Sequence, residues 1–517
     1  MKPKISRALK IVFLYSGKLM FLGMLVVFLQ FPHSGFAQQK TKVLIINARD
    51  LKIEKEVGLN INQLVGDVIL RQDSTWFYCD SALHNSEKNN FDAYGNVHIN
   101  VNDTLHIYGD VLNYNGTRRI AKMHHNVRMV DDKAVLTTEH LTYNRKTSVA
   151  SYRTGGQIVS DTNILTSIIG HYYTRDNEFF FKDSVVLTNP DYVMRSDTLR
   201  YNTETETAYF YGPTTITGED DFIYCERGWY DTRNDIASLK RNAYIVHVNR
   251  IMEGDSIYYD EGNAYGEAYR NITLIDTVEN MIVKGNYAEF DRKAGYAFVT
   301  DSVMAILTDA YDSLYIHSDT LMILSDSAGD AESIYAYYKV KFFRKDLQGM
   351  CDSMLYYIPD SAINLMKDPV MWSEENQMSA DTIVIVYANN EADSMVLKNS
   401  GFIISRDSTD SFNQIKGKTM VGYFKNNEIY KIVVSGNSQT VYFFREEGGS
   451  LIGINKVMAS NMLILLENSE IVDITFIDRP DGSTSPEEEV PSDELRLKGF
   501  KWIDDRRPQN KWDIFHW

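Results

Sequence analysis

A period of about 30 residues runs along the chain from Gly66 onward, and it constrains the fold more than any other feature. Units begin at Gly66, Asn96, Asn126, Gly156, Ser184, Pro213, Asn242, Asn271, Asp301, Lys339, Pro369, Ser400 and Asn437. A repeat of this length is one supersecondary unit that cannot bury its apolar face alone, so neighbours must stack and share a core. The ninth and twelfth units are longer than the others, which predicts loop insertions in them.

Each unit keeps one internal order. An alternating stretch such as Val97-His98-Ile99-Asn100-Val101 comes first. A second segment follows with the pattern small, acidic or Asn, any, aliphatic, any, aromatic, as in Gly109-Asp110-Val111-Leu112-Asn113-Tyr114 and Ser196-Asp197-Thr198-Leu199-Arg200-Tyr201. A polar turn and a short aromatic run close the unit before the next Gly, Asp or Asn. The small position is the most regular: Cys79, Gly109, Thr138, Gly170, Ser196, Cys225, Gly254, Gly285, Ser318, Cys351, Ala380, Gly417 and Ser460. A position that never takes a bulky side chain marks a bend or a close backbone approach. The aliphatic and aromatic positions are two apart and share one strand face, the expected interior.

After Ala37 no stretch holds a 3.6-residue apolar period for three turns, and between Lys40 and Asp478 the prolines are Pro190, Pro213, Pro359 and Pro369 alone. The expected fold is therefore all-β: an elongated jellyroll or solenoid-like stack of mostly antiparallel strands, folded over a slot. The net charge of -17 argues against a nucleic-acid partner, and a hydrophobic share of 44% excludes wholesale disorder.

The start of the chain reads as an export signal. Lys2, Lys4, Arg7 and Lys10 precede an apolar run at residues 19–31, and Ser34-Gly35-Phe36-Ala37 places small residues at a cleavage site after Ala37. An uncleaved anchor that adds residues 11–15 is the alternative, and Lys18 interrupts it. At the other end the texture changes after Asp478. Pro486-Glu487-Glu488-Glu489 reads as a solvated linker, and Trp502, Trp512 and Trp517 crowd the last stretch. That tail reads as a strand or loop capping the last unit, or as a docking peptide with aromatic anchors. The expected organisation is a signal peptide at 1–37, repeats at 41–200, further repeats at 201–478, and a linker with a Trp-rich tail at 479–517.

The N-terminal pattern resembles a known family. Residues 43–48 (VLIINA) lead to Leu64-Val65-Gly66-Asp67-Val68, then Phe77-Tyr78-Cys79-Asp80-Ser81-Ala82, Phe91-Asp92-Ala93-Tyr94-Gly95-Asn96-Val97 and Asp103-Thr104-Leu105. This is similar to the OstA-like domain of the LptA/OstA lipopolysaccharide-transport family, most strongly over residues 41–200. The resemblance implies a periplasmic β-jellyroll that holds acyl chains in an apolar slot and joins other jellyroll proteins, or copies of itself, head to tail by edge-strand pairing. It implies lipopolysaccharide or a related glycolipid as cargo, an association with inner or outer membrane, no cofactor and no catalysis. The chain is much longer than the smallest members and lacks room for the outer-membrane barrel of the largest.

Candidate slot residues are Leu112, Tyr114, Leu141, Tyr143, Leu199, Tyr201, Ile257 and Tyr259. Arg118, Arg119, Lys122 and Arg128 are candidates for lipid phosphates, with a solvated face as the plainer reading. Cys79, Cys225 and Cys351 share the small position several units apart, too far for a disulfide, so three buried free thiols are expected. His124 and His125 are adjacent on a strand and should face opposite ways, a poor metal clamp. The recurrent Asp80, Asp110, Asp197, Asp255, Asp319, Asp352 and Asp381 suit turn entry and backbone hydrogen bonding better than calcium binding or paired-carboxylate catalysis. No nucleophile-base set, Walker loop, Cys-x-x-Cys or His-Glu-x-x-His is present. The rival readings are a structural or adhesive envelope scaffold of the same fold, and a β-helical carbohydrate-active enzyme.

Overall fold

The computed structural model describes residues 41–517, except 57–58, 161, 310–311, 389–390, 408–410, 426–427, 447–448 and 468–469. The export signal expected at 1–37 lies outside the described residues. Strands carry almost all of the described chain, and helical geometry within it is confined to the 3-10 turns Glu487–Glu489, Asp504–Arg506 and Asp513–Phe515. No helix among the described residues is long and apolar enough to cross a membrane. The all-β expectation holds, and neighbouring strands pair antiparallel. The chain forms two compact units that divide between Met123 and His124.

In the first unit, Leu59–Gln72, Thr75–Asn85, Asn90–Val101 and Leu105–Asn115 make an antiparallel meander. Each of these strands turns a corner at mid-length. Between Leu59–Gln72 and Thr75–Asn85 the register runs to Val68↔Cys79, then resumes at Val65↔Ser81. Gly66 (φ 80°) and Asp67 (φ 48°) occupy the slip, and Gly95 (φ 73°) with Asn96 (φ 45°) repeat it. Two consecutive left-handed residues form a bulge that kinks the strand. The strand on the other side accommodates the kink by changing phase: Leu105, Ile107 and Gly109 are buried, then Leu112 and Tyr114. A one-residue slip normally turns the whole apolar set outward. Placed at the corner, it keeps both halves of the strand facing one interior. The halves form two facing walls: Phe77 on the first packs edge-on against Phe91 (5.1 Å between centroids) and beside Tyr114 (4.6 Å) on the second. Glycine is required at Gly95, where an added Cβ would lie 2.4 Å from Asp80 Oδ2.

The second unit repeats this plan over many more strands. Asp183 and Ser184, Arg241 and Asn242, Arg270 and Asn271, Asp301 and Ser302, and Asn399 and Ser400 are left-handed pairs at successive corners. Four stretches break there outright, giving Val149–Tyr152 with Gly156–Ser160, Asn163–Ser167 with Ile169–Tyr173, Ala362–Met366 with Val370–Ser373, and Asn376–Ser379 with Thr382–Ala388. The unit starts read from the sequence are thus corners within strands and not boundaries between them. The late strands are the longest, with 16 residues in Glu391–Arg406, 18 in Glu428–Arg445 and 17 in Leu451–Glu467. The last rung consists of Glu470–Ile477 and Asp481–Ser485, both paired to Leu451–Glu467.

Candidate functional site

The site is the interior between the two walls. Of the candidate slot residues, Leu112 and Tyr114 in the first unit and Leu141, Tyr143, Leu199 and Ile257 in the second are at most 3% exposed, while Tyr201 and Tyr259 are half-buried. Leu199 sits between Phe181 and Phe210 in register, and Ile257 between Leu239 and Ala268. Tyr114 Oη donates to Gln72 Oε1 in a short hydrogen bond, and burial pushes the Tyr143 hydroxyl pKa up. The buried members pack among their neighbours in the interior.

The interior opens in the middle of the second unit. On the first wall, Ile216, Ile223, Ile245, Met252 and Leu274 follow one another in register, face inward, and are half-exposed. On the second wall the matching inward row includes Tyr230, Tyr259 and Phe290, also half-exposed. Beside these rows Ala243, Ala268, Ala288 and Ala305 are buried. The first-wall aliphatics were absent from the candidate set. Their signal was available in the alternating stretch that precedes each small residue.

A cleft of about 770 Å³ opens where the ends of the two walls approach each other. Tyr192, Tyr201 and Tyr230 line it, with Asp132, Asp191, Glu204, Glu206 and Asp235 opposed by Lys133 and Arg233. Arg233 already pairs with Glu206 at 2.7 Å. Burial raises the Tyr192 pKa to about 12, and Tyr230 donates to Asp235 at 2.8 Å. The mouth is therefore acidic and rich in neutral phenols, a poor seat for a bare phosphate.

Elsewhere, Arg118, Lys122 and Arg128 are exposed, and Arg119 pairs with Asp73 at 3.0 Å. The recurrent aspartates stand at the corners. Asp80 accepts from Asn96 Nδ2 at 2.9 Å, Asp255 from Asn271 Nδ2 at 3.1 Å and Asp352 from Lys367 Nζ at 2.9 Å. These three meet side chains of the next corner, while Asp197 accepts from the neighbouring Thr198 hydroxyl. Cys79, Cys225 and Cys351 are buried and free. The alternation argument for His124 and His125 fails, because His125 is left-handed (φ 63°) and both rings converge on His140, at 5.1 and 5.7 Å. Among the described residues no cluster of three or more potential ligands is placed to hold a metal ion.

Two edges are open. Among the described residues Leu44–Asn47 and Asp50–Glu56 pair with Leu59–Gln72 alone, and they expose Leu44, Ile46, Leu51 and Ile53. Glu470–Ile477 exposes Val472 and Ile477 at the other end of the chain.

No curated protein matches the chain. Among solved structures it is similar to LptH, described as the LptA-homologous periplasmic component of the lipopolysaccharide transport device of Pseudomonas aeruginosa. The identity is 16% and the TM-score 0.18, over 21% of this chain and 76% of that one. Residues 40–197 match the family described as OstA-like protein. This segment, about a third of the chain, is what is similar to the OstA-like family.

Proposed function

We propose that the protein is a non-enzymatic periplasmic component of lipopolysaccharide-type transport, carrying or bridging a glycolipid between inner and outer membrane. Its acyl chains lie between the walls of the second unit. The observation that carries this reading is the half-exposed apolar lining: Ile216, Ile223, Ile245, Met252 and Leu274 face inward yet keep solvent access. An acyl chain laid there would leave water at about 0.8 kcal/mol per methylene. Tyr201 and Tyr259, at the margin of the lining, are the candidates from the sequence that such a chain would touch. The acidic mouth argues that phosphates stay outside it, beside neutral sugar hydroxyls or a bridging cation. The open edges suit β-strand augmentation by envelope partners with jellyroll domains, or by another copy. Export by the signal at residues 1–37 belongs to the same reading.

Native mass spectrometry of the full chain with purified lipopolysaccharide tests it. Stoichiometric adducts that vanish in Ile245→Asp and Leu274→Asp, with circular dichroism unchanged, are expected. Folded protein without adducts would replace the conduit with a scaffold, a reading that the tight packing around Leu199 favours for that part of the stack.

A further inference from the structure

After Ser485 the chain leaves the last rung and runs back over the outer face of the first wall of the second unit. Residues 491–517 join no strand ladder. Their backbone is read by side chains instead. Gln414 donates to Leu495 O (2.8 Å) and accepts from Leu497 N (2.8 Å). Gln377 does the same one step on, with Lys501 O (2.7 Å) and Ile503 N (2.9 Å). Gln348 accepts from Arg507 Nε at 2.7 Å. Each glutamine lies three residues before the small position of its unit (Gly417, Ala380, Cys351), where the other units carry no glutamine. All three are at most 2% exposed. Their contacts step along the segment every six residues, so a primary amide, which pairs like a peptide group, stands in for a strand edge and fixes register.

Between these rungs lie apolar seats. Ile503 packs on Trp372, Phe500 and Trp502 on Phe412 (5.3 and 5.1 Å), and Leu495 on Phe443 and its neighbours. The end of the segment meets the stack at Lys341, whose Nζ donates to His516 O at 2.5 Å. The connector, by contrast, is exposed at residues 486–489 and 491–494. Aromatic anchors in seats, sequence-independent backbone reading and an exposed tether are the marks of a peptide in a groove rather than of a rung in a stack.

We propose that this outer face is a peptide-recognition groove and that its partner is the same segment of a second copy, so that straps exchange between chains. The groove accepts a strap by contacts that do not depend on which chain supplies it. A tethered strap competes at millimolar effective concentration, so exchange grows as copies are concentrated or aligned. A strap that leaves uncovers Trp372, Phe402, Phe412 and Phe443, a patch that demands a replacement.

The test mixes unlabelled and heavy-isotope-labelled full chain in equal amounts, then applies a short lysine-lysine cross-linker. Lys416 Nζ lies 2.6 Å from Lys498 O, so the Lys416–Lys498 cross-link reports strap seating. Exchange predicts mixed-isotope cross-links that rise with protein concentration towards the statistical half. Cross-links between like isotopes alone, at every concentration, overturn the proposal. Gln377→Ala with Gln414→Ala should speed mixing at least tenfold, and an unchanged rate would remove the glutamines from the recognition. The wild-type result decides the main point even if the variant fails to fold.

Discussion

The middle of the second unit and its last strands share one backbone plan and differ in what fills it. From Asp221–Asp231 to Met281–Asp291 the first-wall row Ile223, Ile245, Met252 and Leu274 is only partly buried, while Leu239, Ile257, Ile272, Ala243, Ala268 and Ala288 are buried. From Gln348–Tyr357 to Leu451–Glu467 the first-wall row holds buried Met371 and Met378 beside partly buried Ile403 and Ile415, and the second wall holds Met395, Met420 and Met462, buried in one cluster with Leu397 and Ile464. The corners slip by the same register in both regions, for example between Lys240 and Ala243 and between Lys398 and Gly401. Backbone geometry therefore does not decide whether the stack is open or closed. Side-chain volume does, with flexible methionines filling irregular gaps, and a second layer follows: in the closed region the strap covers the outer face as well.

The largest expected effect tests this contrast directly. Met420 is fully buried, so Met420→Asp leaves an unpaired charge in the packed region and should cost more than about 4 kcal/mol. Ile245→Asp, on the partly exposed first-wall row, should cost less, about 1–3 kcal/mol. Urea unfolding followed by hydrogen exchange over each region separates them. Equal losses would mean that the middle interior is as closed as the end. A smaller effect is expected beneath the strap. Gln414→Ala strands Leu495 O and Leu497 N and should loosen the strap by about 1–3 kcal/mol. Faster amide exchange at residues 495–503 with the middle strands unchanged is the expected signature; an unchanged strap would show that the apolar seats alone hold it.

Much of this plan was legible in the sequence because it is local. The small residue, the Asp after it and the aliphatic-aromatic pair beyond fix where a strand bends and which side faces in, and Leu112, Leu141 and Leu199 are buried as that pattern requires. What is open or closed was not legible, since it depends on residues many positions apart that the stack brings into one row. Ile223 and Phe290 look like their counterparts in any other unit. The tail stood out as a cap or docking peptide, but its seat was not legible for a related reason: its partners are Gln348, Gln377 and Gln414, each unremarkable alone and informative only when aligned on the small position. His125 misled because strand alternation holds only between corners, and that residue lies in one.

The smallest effect is read from the thiols, one in each region. Burial pushes the pKa of Cys225 up to about 11 and that of Cys351 up to about 12. A raised folded value favours the neutral thiol. Its stabilising contribution is complete below the unfolded value of about 8.5 and is lost as pH rises through about 11 for Cys225 and 12 for Cys351. Both thiols should resist alkylation at pH 8, since the thiolate is the nucleophile. As pH is raised, Cys225 should label first, because its value is lower and its region admits solvent between the walls. Peptide mapping of a pH series of short alkylation pulses measures the order. Simultaneous onset would mean that labelling waits on unfolding of the whole stack, and that the half-exposed lining of the middle strands gives a reagent no path inward.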